Sequence, residues 1–408
     1  RRLDLAEALR RSGDVALALD AFDAAAEQAQ ARDDDAALVT AAVGYEEALF
    51  ASRLPRDGRS AQLLRAAERR VPADDAVGRS RVLSLLGRAL HFTGDDRGAT
   101  EACRRAVELV DGVEDGSADG AGTLRQAPLA RALLALRITQ DAPGQLTERL
   151  RGGRTAFAAV GGPAAGDLPA DDLELRLEVA RLHLLDLLEA GDLAGADAVL
   201  AVAVDTVERL GRPLHRWYPP MWRAMRALLD GRHGDAAELA DRFRVEAHRA
   251  HYASTELVWT ILRLQLALDT GGPADVLPAL RTRLAEDPDR WAFASAVALA
   301  RLGRTDEARA VLDLHDTRLS QVPHDLSRPA VLTYLAEAAH LLGDAQAAGR
   351  VHDALLPWDG HHVVLGAGAV CLGSAARPLG LCRLTTGDVD AATAYLERAV
   401  ADDDALPA

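Results

Sequence analysis

The chain has 408 residues and a net charge of −15, from 47 basic and 62 acidic residues. Every one of these basic residues is arginine, because the sequence holds no lysine; it holds no asparagine either. That excludes a phosphate-loop lysine, a Schiff-base lysine and lysine-dependent kinase chemistry within the chain, and an acidic balance with no basic stripe argues against direct nucleic-acid binding, which rests on neutralising phosphates.

Apolar residues at helical spacing predict about twenty helices and no convincing strand. In chain order the clear segments are 35–52, 74–92, 95–110, 172–190, 193–210, 221–230, 235–250, 255–269, 289–302, 326–342 and 388–402. Within 172–190, Leu173, Leu177, Ala180, Leu184 and Leu188 form one apolar face. Segment 111–123 is acidic, Gly-rich and without apolar periodicity, so it is expected to be mobile. A Gly/Pro break at 161–169 is expected to divide an N-terminal lobe, 1–160, from a C-terminal lobe, 161–408. Val363, Val364 and Leu365 suit a strand, yet Gly366 and Gly368 follow at once, so this stretch is expected to be a loop leading into a helix. Pro378 is expected to end or kink that helix at a cost of about 3 kcal/mol.

Between the helical segments a short turn recurs, at Gly13-Asp14, Gly94-Asp95, Gly191-Asp192, Gly234-Asp235, Gly343-Asp344 and Gly387-Asp388, with a looser copy at Gly303 and Asp306. Most spacings fall near one or two units of about forty residues, the period of stacked helical hairpins. Glycine ends one helix in a left-handed turn and Asp caps the next. A single hairpin cannot bury its own stripe, so the units are expected to stack into an all-α solenoid.

No segment has the length of an uncharged membrane span and no signal peptide is visible. Cys103, Cys371 and Cys382 are an odd set without metal-ligand spacing, which fits a reduced, cytoplasmic protein with buried thiols. Residue 1 is Arg rather than Met, which suggests a piece of something longer. There is no Gly-x-Ser-x-Gly, His-Glu-x-x-His, Cys-x-x-Cys or pre-helical Gly-x-Gly-x-x-Gly, so no catalytic residue, metal or cofactor is expected. Tyr45-Glu46-Glu47 places paired carboxylates in an apolar helix, where arginines of a neighbouring helix are the expected partners.

All tryptophans follow position 216, and they fall near histidines. His215, Arg216, Trp217, Tyr218 and Trp222 precede or begin a helix that Pro219-Pro220 would start. His248, His251, Tyr252, Glu256 and Trp259 bracket another helix junction, at a place where the Gly-Asp turn is replaced. Together they are the candidate ligand-binding residues, an aromatic, Arg- and His-lined pocket on a concave face suited to a planar or anionic ligand. The competing reading is core packing plus solvated hairpin ends.

Several strings are familiar: Ala41-Ala42-Val43-Gly44-Tyr45-Glu46-Glu47-Ala48, Arg88-Ala89-Leu90-His91-Phe92-Thr93-Gly94-Asp95, Arg216-Trp217-Tyr218 with Arg223-Ala224-Met225-Arg226-Ala227-Leu228-Leu229, and Gly368-Ala369-Val370-Cys371-Leu372-Gly373-Ser374-Ala375-Ala376-Arg377 with Leu379-Gly380. Over nearly the whole chain they resemble the C-terminal tetratricopeptide-like half of large ATP-binding transcriptional regulators of the LuxR type. The resemblance implies a superhelix of tetratricopeptide-like hairpins acting as a non-enzymatic sensor. It would bind a small-molecule effector or a protein partner and relay it to an upstream ATP-binding switch domain. Pro219-Pro220, Pro378 and the added loop at 111–124 depart from that pattern. The alternatives are a stand-alone helical-repeat protein that binds a small molecule, recruited as a biosynthetic enzyme with His or Glu acid–base residues, and a protein–protein scaffold.

Overall fold

The computed structural model describes residues 1–12, 14–50, 56, 58–113, 126–164, 166–316 and 327–404. Gly13 of the first turn and residues 114–123 of the Gly-rich segment lie outside the described residues. Packing gathers residues 1–141 with 148–182 into one unit and residues 142–147 with 183–408 into a second; the 161–169 break falls within the first.

The first unit holds α1 (Arg2–Ser12), α2 (Val15–Ala31), α3 (Asp35–Phe50), α4 (Arg59–Glu68), α5 (Ala76–His91), α6 (Asp96–Val110), α7 (Ala127–Ile138), α8 (Leu146–Ala159) and most of α9 (Ala170–Glu189). The second holds α10 (Leu193–Leu210), α11 (Tyr218–Leu229), α12 (His233–Arg249), α13 (Thr255–Thr270), α14 (Leu277–Glu286), α15 (Pro288–Arg301), α16 (Thr305–Asp316), α17 (Arg328–Leu342), α18 (Ala345–Leu355), strands β1 (His362–Leu365) and β2 (Val370–Ser374), then α19 (Ala376–Thr385) and α20 (Val389–Asp404). Within each unit helices pack on chain neighbours, as α5 does on α6 and α11 on α12, and alternate helices also meet, as α3 meets α5 and α15 meets α17. That double pattern is the contact signature of an α-solenoid, in which each hairpin hides its apolar stripe against the next.

The recurring turn works as its residue types require. Gly191 and Gly343 have φ of 74° and 64°, a region that costs a residue with a Cβ about 1–2 kcal/mol. The Asp192 carboxylate then accepts from Gly195 N at 2.8 Å and that of Asp344 from Ala347 N at 2.9 Å, satisfying orphan donors of the new helix. One copy is displaced. At 231–235 the left-handed residue is Gly231, φ 67°, and α12 already runs through Gly234 and Asp235.

Glycine also sets how closely helices approach. A Cβ on Gly44 would lie 2.3 Å from the Phe22 ring, and one on Gly87 would lie 2.2 Å from Cys103 Sγ. Alanine normally exceeds glycine in a helix by about 1 kcal/mol, so these positions keep glycine for the α2–α3 and α5–α6 contacts. Cys103 is fully buried there, and burial pushes its thiol up to about 12.

The paired carboxylates of α3 find arginines, as the sequence suggests. Glu46 is wholly buried and accepts from Arg88 Nε at 2.8 Å and Ser60 Oγ at 2.6 Å, with Arg56 Nη1 at 3.3 Å. Glu47 takes Arg81 at 2.9 Å. Buried carboxylates persist when several charge-assisted bonds replace water, so Glu46 joins α3 to α5 across the stack.

Two expectations near the C-terminus are corrected. Residues 362–374 are an antiparallel hairpin, pairing Val364 with Cys371 and Leu365 with Val370, not a loop leading into a helix. Gly366 and Gly368, with φ of 62° and 80°, do not break a strand but form the turn between two. Pro378 neither ends nor kinks α19: the helix starts at Ala376, so Pro378 lies in the first turn, where no backbone N–H is needed.

Candidate functional site

The two sequence clusters meet in the second unit. Tyr218 opens α11, with Pro219 and Pro220 in its first turn. His251 holds φ of 52°, a left-handed position that glycine takes at several other junctions, and it brings Tyr252 against Trp217 at the start of α11. Trp217 stacks between Tyr218, with ring centres 3.9 Å apart, and Tyr252, at 4.1 Å, while Tyr218 stacks on Trp222 at 4.8 Å. His215 lies 6.3 Å from the Tyr218 ring, and Arg216 is exposed beside it. Trp217 and Trp222 are 4% and 0% exposed, so their faces meet the tyrosines and the core. The Trp222 indole donates to Ala367 O at 2.9 Å, tying α11 to the hairpin turn.

The remaining candidates form a surface network. Glu256 accepts from Arg244 Nε and Nη2 at 2.8 and 2.9 Å and lies 2.8 Å from His248 Nε2. Arg244 covers the Trp259 ring at 4.1 Å, and Trp259 Nε1 donates to Asp241 at 3.0 Å. Hydrogen bonds from Arg244 hold the Glu256 carboxyl below its ordinary value, with those from His248 adding to the effect and burial opposing it.

The second unit also contains a cavity of about 760 Å³ that none of these residues lines. Its walls are the α11–α12 turn, α13, the C-terminal end of α15, α17, β2 and the start of α19. Leu228, Leu229, Leu268 and Leu372 are among its apolar lining. Its arginines are held by carboxylates. Arg226 bonds Asp197 at 2.7 Å and Asp230 at 2.8 Å, Arg301 bonds Glu337 at 2.6 Å, and Arg377 lies 3.6 Å from Glu337. A neutral relay crosses the wall: Tyr334 Oη donates to Gln265 Oε1 at 3.2 Å, and Gln265 Nε2 donates to Asp269 Oδ1 at 2.7 Å. Burial pushes the Tyr334 hydroxyl upward, and burial also pushes the Asp269 carboxyl upward despite the Gln265 bond.

Sequence reasoning does not find this cavity, because its polar residues come from separate repeats. A signal was present: Gln265 with Asp269, and Tyr334 with Glu337, are polar pairs at helical spacing in otherwise apolar helices. Among the described residues no group of three or more His, Cys, Asp or Glu is placed to hold a metal, and no helix is long and apolar enough to cross a membrane.

No family model matches the chain, and no curated protein matches it. Among solved structures it is similar to a Rap protein complexed with Competence and Sporulation Factor, at 11% identity and a TM-score of 0.49, covering 99% of this chain and 97% of that one. It is also similar to aspartyl phosphate phosphatase F from Bacillus subtilis, at 13% identity and a TM-score of 0.39, covering 98% and 92%. A circular tandem repeat protein with novel repeat topology gives 14% identity and a TM-score of 0.15, covering 99% and 95%. At scores below 0.5 these likenesses carry no inference about activity.

The lowered Glu256 carboxyl predicts a pH dependence. A depressed folded-state pKa gives stability that is fully present above the ordinary value of 4.5 and lost as pH falls through the lower folded value. Glu256→Gln is expected to lower stability at pH 7 by about 1 kcal/mol, the pair being partly open to water. In urea unfolding the gap from wild type should shrink below pH 4.5; a gap that is the same at pH 7 and about pH 3 contradicts the assignment.

Proposed function

We propose that the chain is a non-enzymatic binding module and that the cavity of its second unit is the effector site. The observation that carries this reading is the way the cavity is built. Its volume of about 760 Å³ lies in the range of small-molecule sites, roughly 300–1,000 Å³. It combines leucine side chains with polar groups supplied by α11, α12, α13, α15, α17 and α19. A ligand held by so many elements favours one arrangement of them over others, which is what a sensor needs.

In this reading the module is the sensor region of a LuxR-type transcriptional regulator, as the string resemblance implies, and it relays the effector to an ATP-binding switch domain. The exposed side of the aromatic group, with Trp259, Arg244, Glu256 and His248, is where a protein partner would be met. Catalysis by Glu256 is disfavoured, because its carboxylate is already bound by Arg244 and His248 and has no proton to give.

Ligand at about 100 times its dissociation constant stabilises a folded chain by about 2.7 kcal/mol. A fractionated extract of small metabolites is therefore expected to contain a component that raises the melting temperature of the wild-type chain. Leu229→Trp, which fills the cavity from its half-buried wall, should fold but lose the response. An equal response in that variant removes the cavity from the account. For the regulator, a phosphate-loop domain encoded ahead of Arg1 in the same frame is the expected finding; a frame beginning at Arg1 overturns it.

A further inference from the structure

The cavity's carboxylates are not equivalent. Asp230 is paired with Arg226 at 2.8 Å and Arg232 at 2.9 Å, and Glu337 is paired with Arg301 at 2.6 Å. Asp269 has only the neutral Gln265 amide at 2.7 Å, and no cation of the described residues lies within ion-pair reach of it. Its side chain is open to the cavity, whose lining also includes Leu228, Leu229, Leu268 and Leu372. The charges acting on it from other elements are His233 and Arg377, which favour its ionised form, and Glu337, which opposes it. An unpaired carboxylate on a partly desolvated wall is stabilised by any cation that reaches it. The four arginines of the lining each already have a carboxylate partner: Arg301 and Arg377 face Glu337, Arg226 is bound by Asp197 and Asp230, and Arg232 by Asp230 and Asp235.

We propose that the effector is a small amphipathic amine whose ammonium pairs with Asp269 while its apolar body lies on Leu228, Leu229, Leu268 and Leu372. This rests on the cavity being the effector site and deepens that reading to a ligand class. The upward push on the Asp269 carboxyl by burial outweighs the more distant His233 and Arg377, neither of which forms an ion pair with it. Gln265 holds one carboxylate oxygen through Nε2 and so leaves the other for the ligand.

The test uses the whole chain and three probes of similar shape in titration calorimetry: phenethylamine, 2-phenylethanol and 3-phenylpropionate. Phenethylamine is expected to bind at least about ten-fold tighter than the alcohol, the worth of one charge-assisted bond. Asp269→Asn, close in shape and checked for folding by its melting curve, should remove that advantage and leave the alcohol unaffected. If the carboxylate probe binds best, or phenethylamine binds the variant as tightly as wild type, the amine assignment falls while the cavity remains a binding site. If none of the three binds, both the assignment and the cavity reading fail.

Discussion

The second unit depends on how the β1–β2 hairpin is seated. Trp222 on α11 donates its indole N–H to Ala367 O, a bond that spans 145 residues of sequence. Gly368 comes next, with φ of 80°, in a space where a Cβ would meet Leu185 at 3.1 Å and Trp222 at 3.3 Å. His361 Nδ1 lies 3.0 Å from Glu189 at the end of α9, and β1 and β2 pack on α17 and α20 respectively. A solenoid ordinarily couples only neighbouring hairpins. Here a short sheet joins the beginning of the unit to its end, and β2 becomes a wall of the cavity.

Charge is handled in the same local fashion. With arginine as the sole strong cation, ion pairs can be bidentate and can also lie on aromatic faces. Arg244 does both, against Glu256 and Trp259, and Arg88 lies over Phe50 while bonding Glu46. These pairs join consecutive or next-but-one helices and complement the apolar stripes. Among the cavity's carboxylates Asp269 stands outside the pattern, and a carboxylate without an ion pair in a concave space of mixed polarity is a feature of recognition more than of packing.

The architecture was legible because its determinants are local. Gly191-Asp192 and Gly343-Asp344 reveal a helix end and a helix start within two residues, and stacking follows from the stripes on either side. The strands were misread for the same reason: Gly366 and Gly368 look like breakers until the partner segment 370–374 is considered with them. Core packing of Trp217 and Trp222 was one of two readings left open, because Tyr252, which covers Trp217, arrives through the left-handed His251. The cavity was less legible still. Asp269, Tyr334 and Arg377 belong to three helices, and no spacing in one sequence states that they face a common space.

Hydrogen exchange across the second unit in Gly368→Ala tests the central dependence most directly. The account predicts that the amides of the hairpin and those of α11 and α13 lose protection together, because the added Cβ unseats Trp222 and with it the cavity wall. Loss confined to residues 362–374, with α11 and α13 as protected as in wild type, would contradict it.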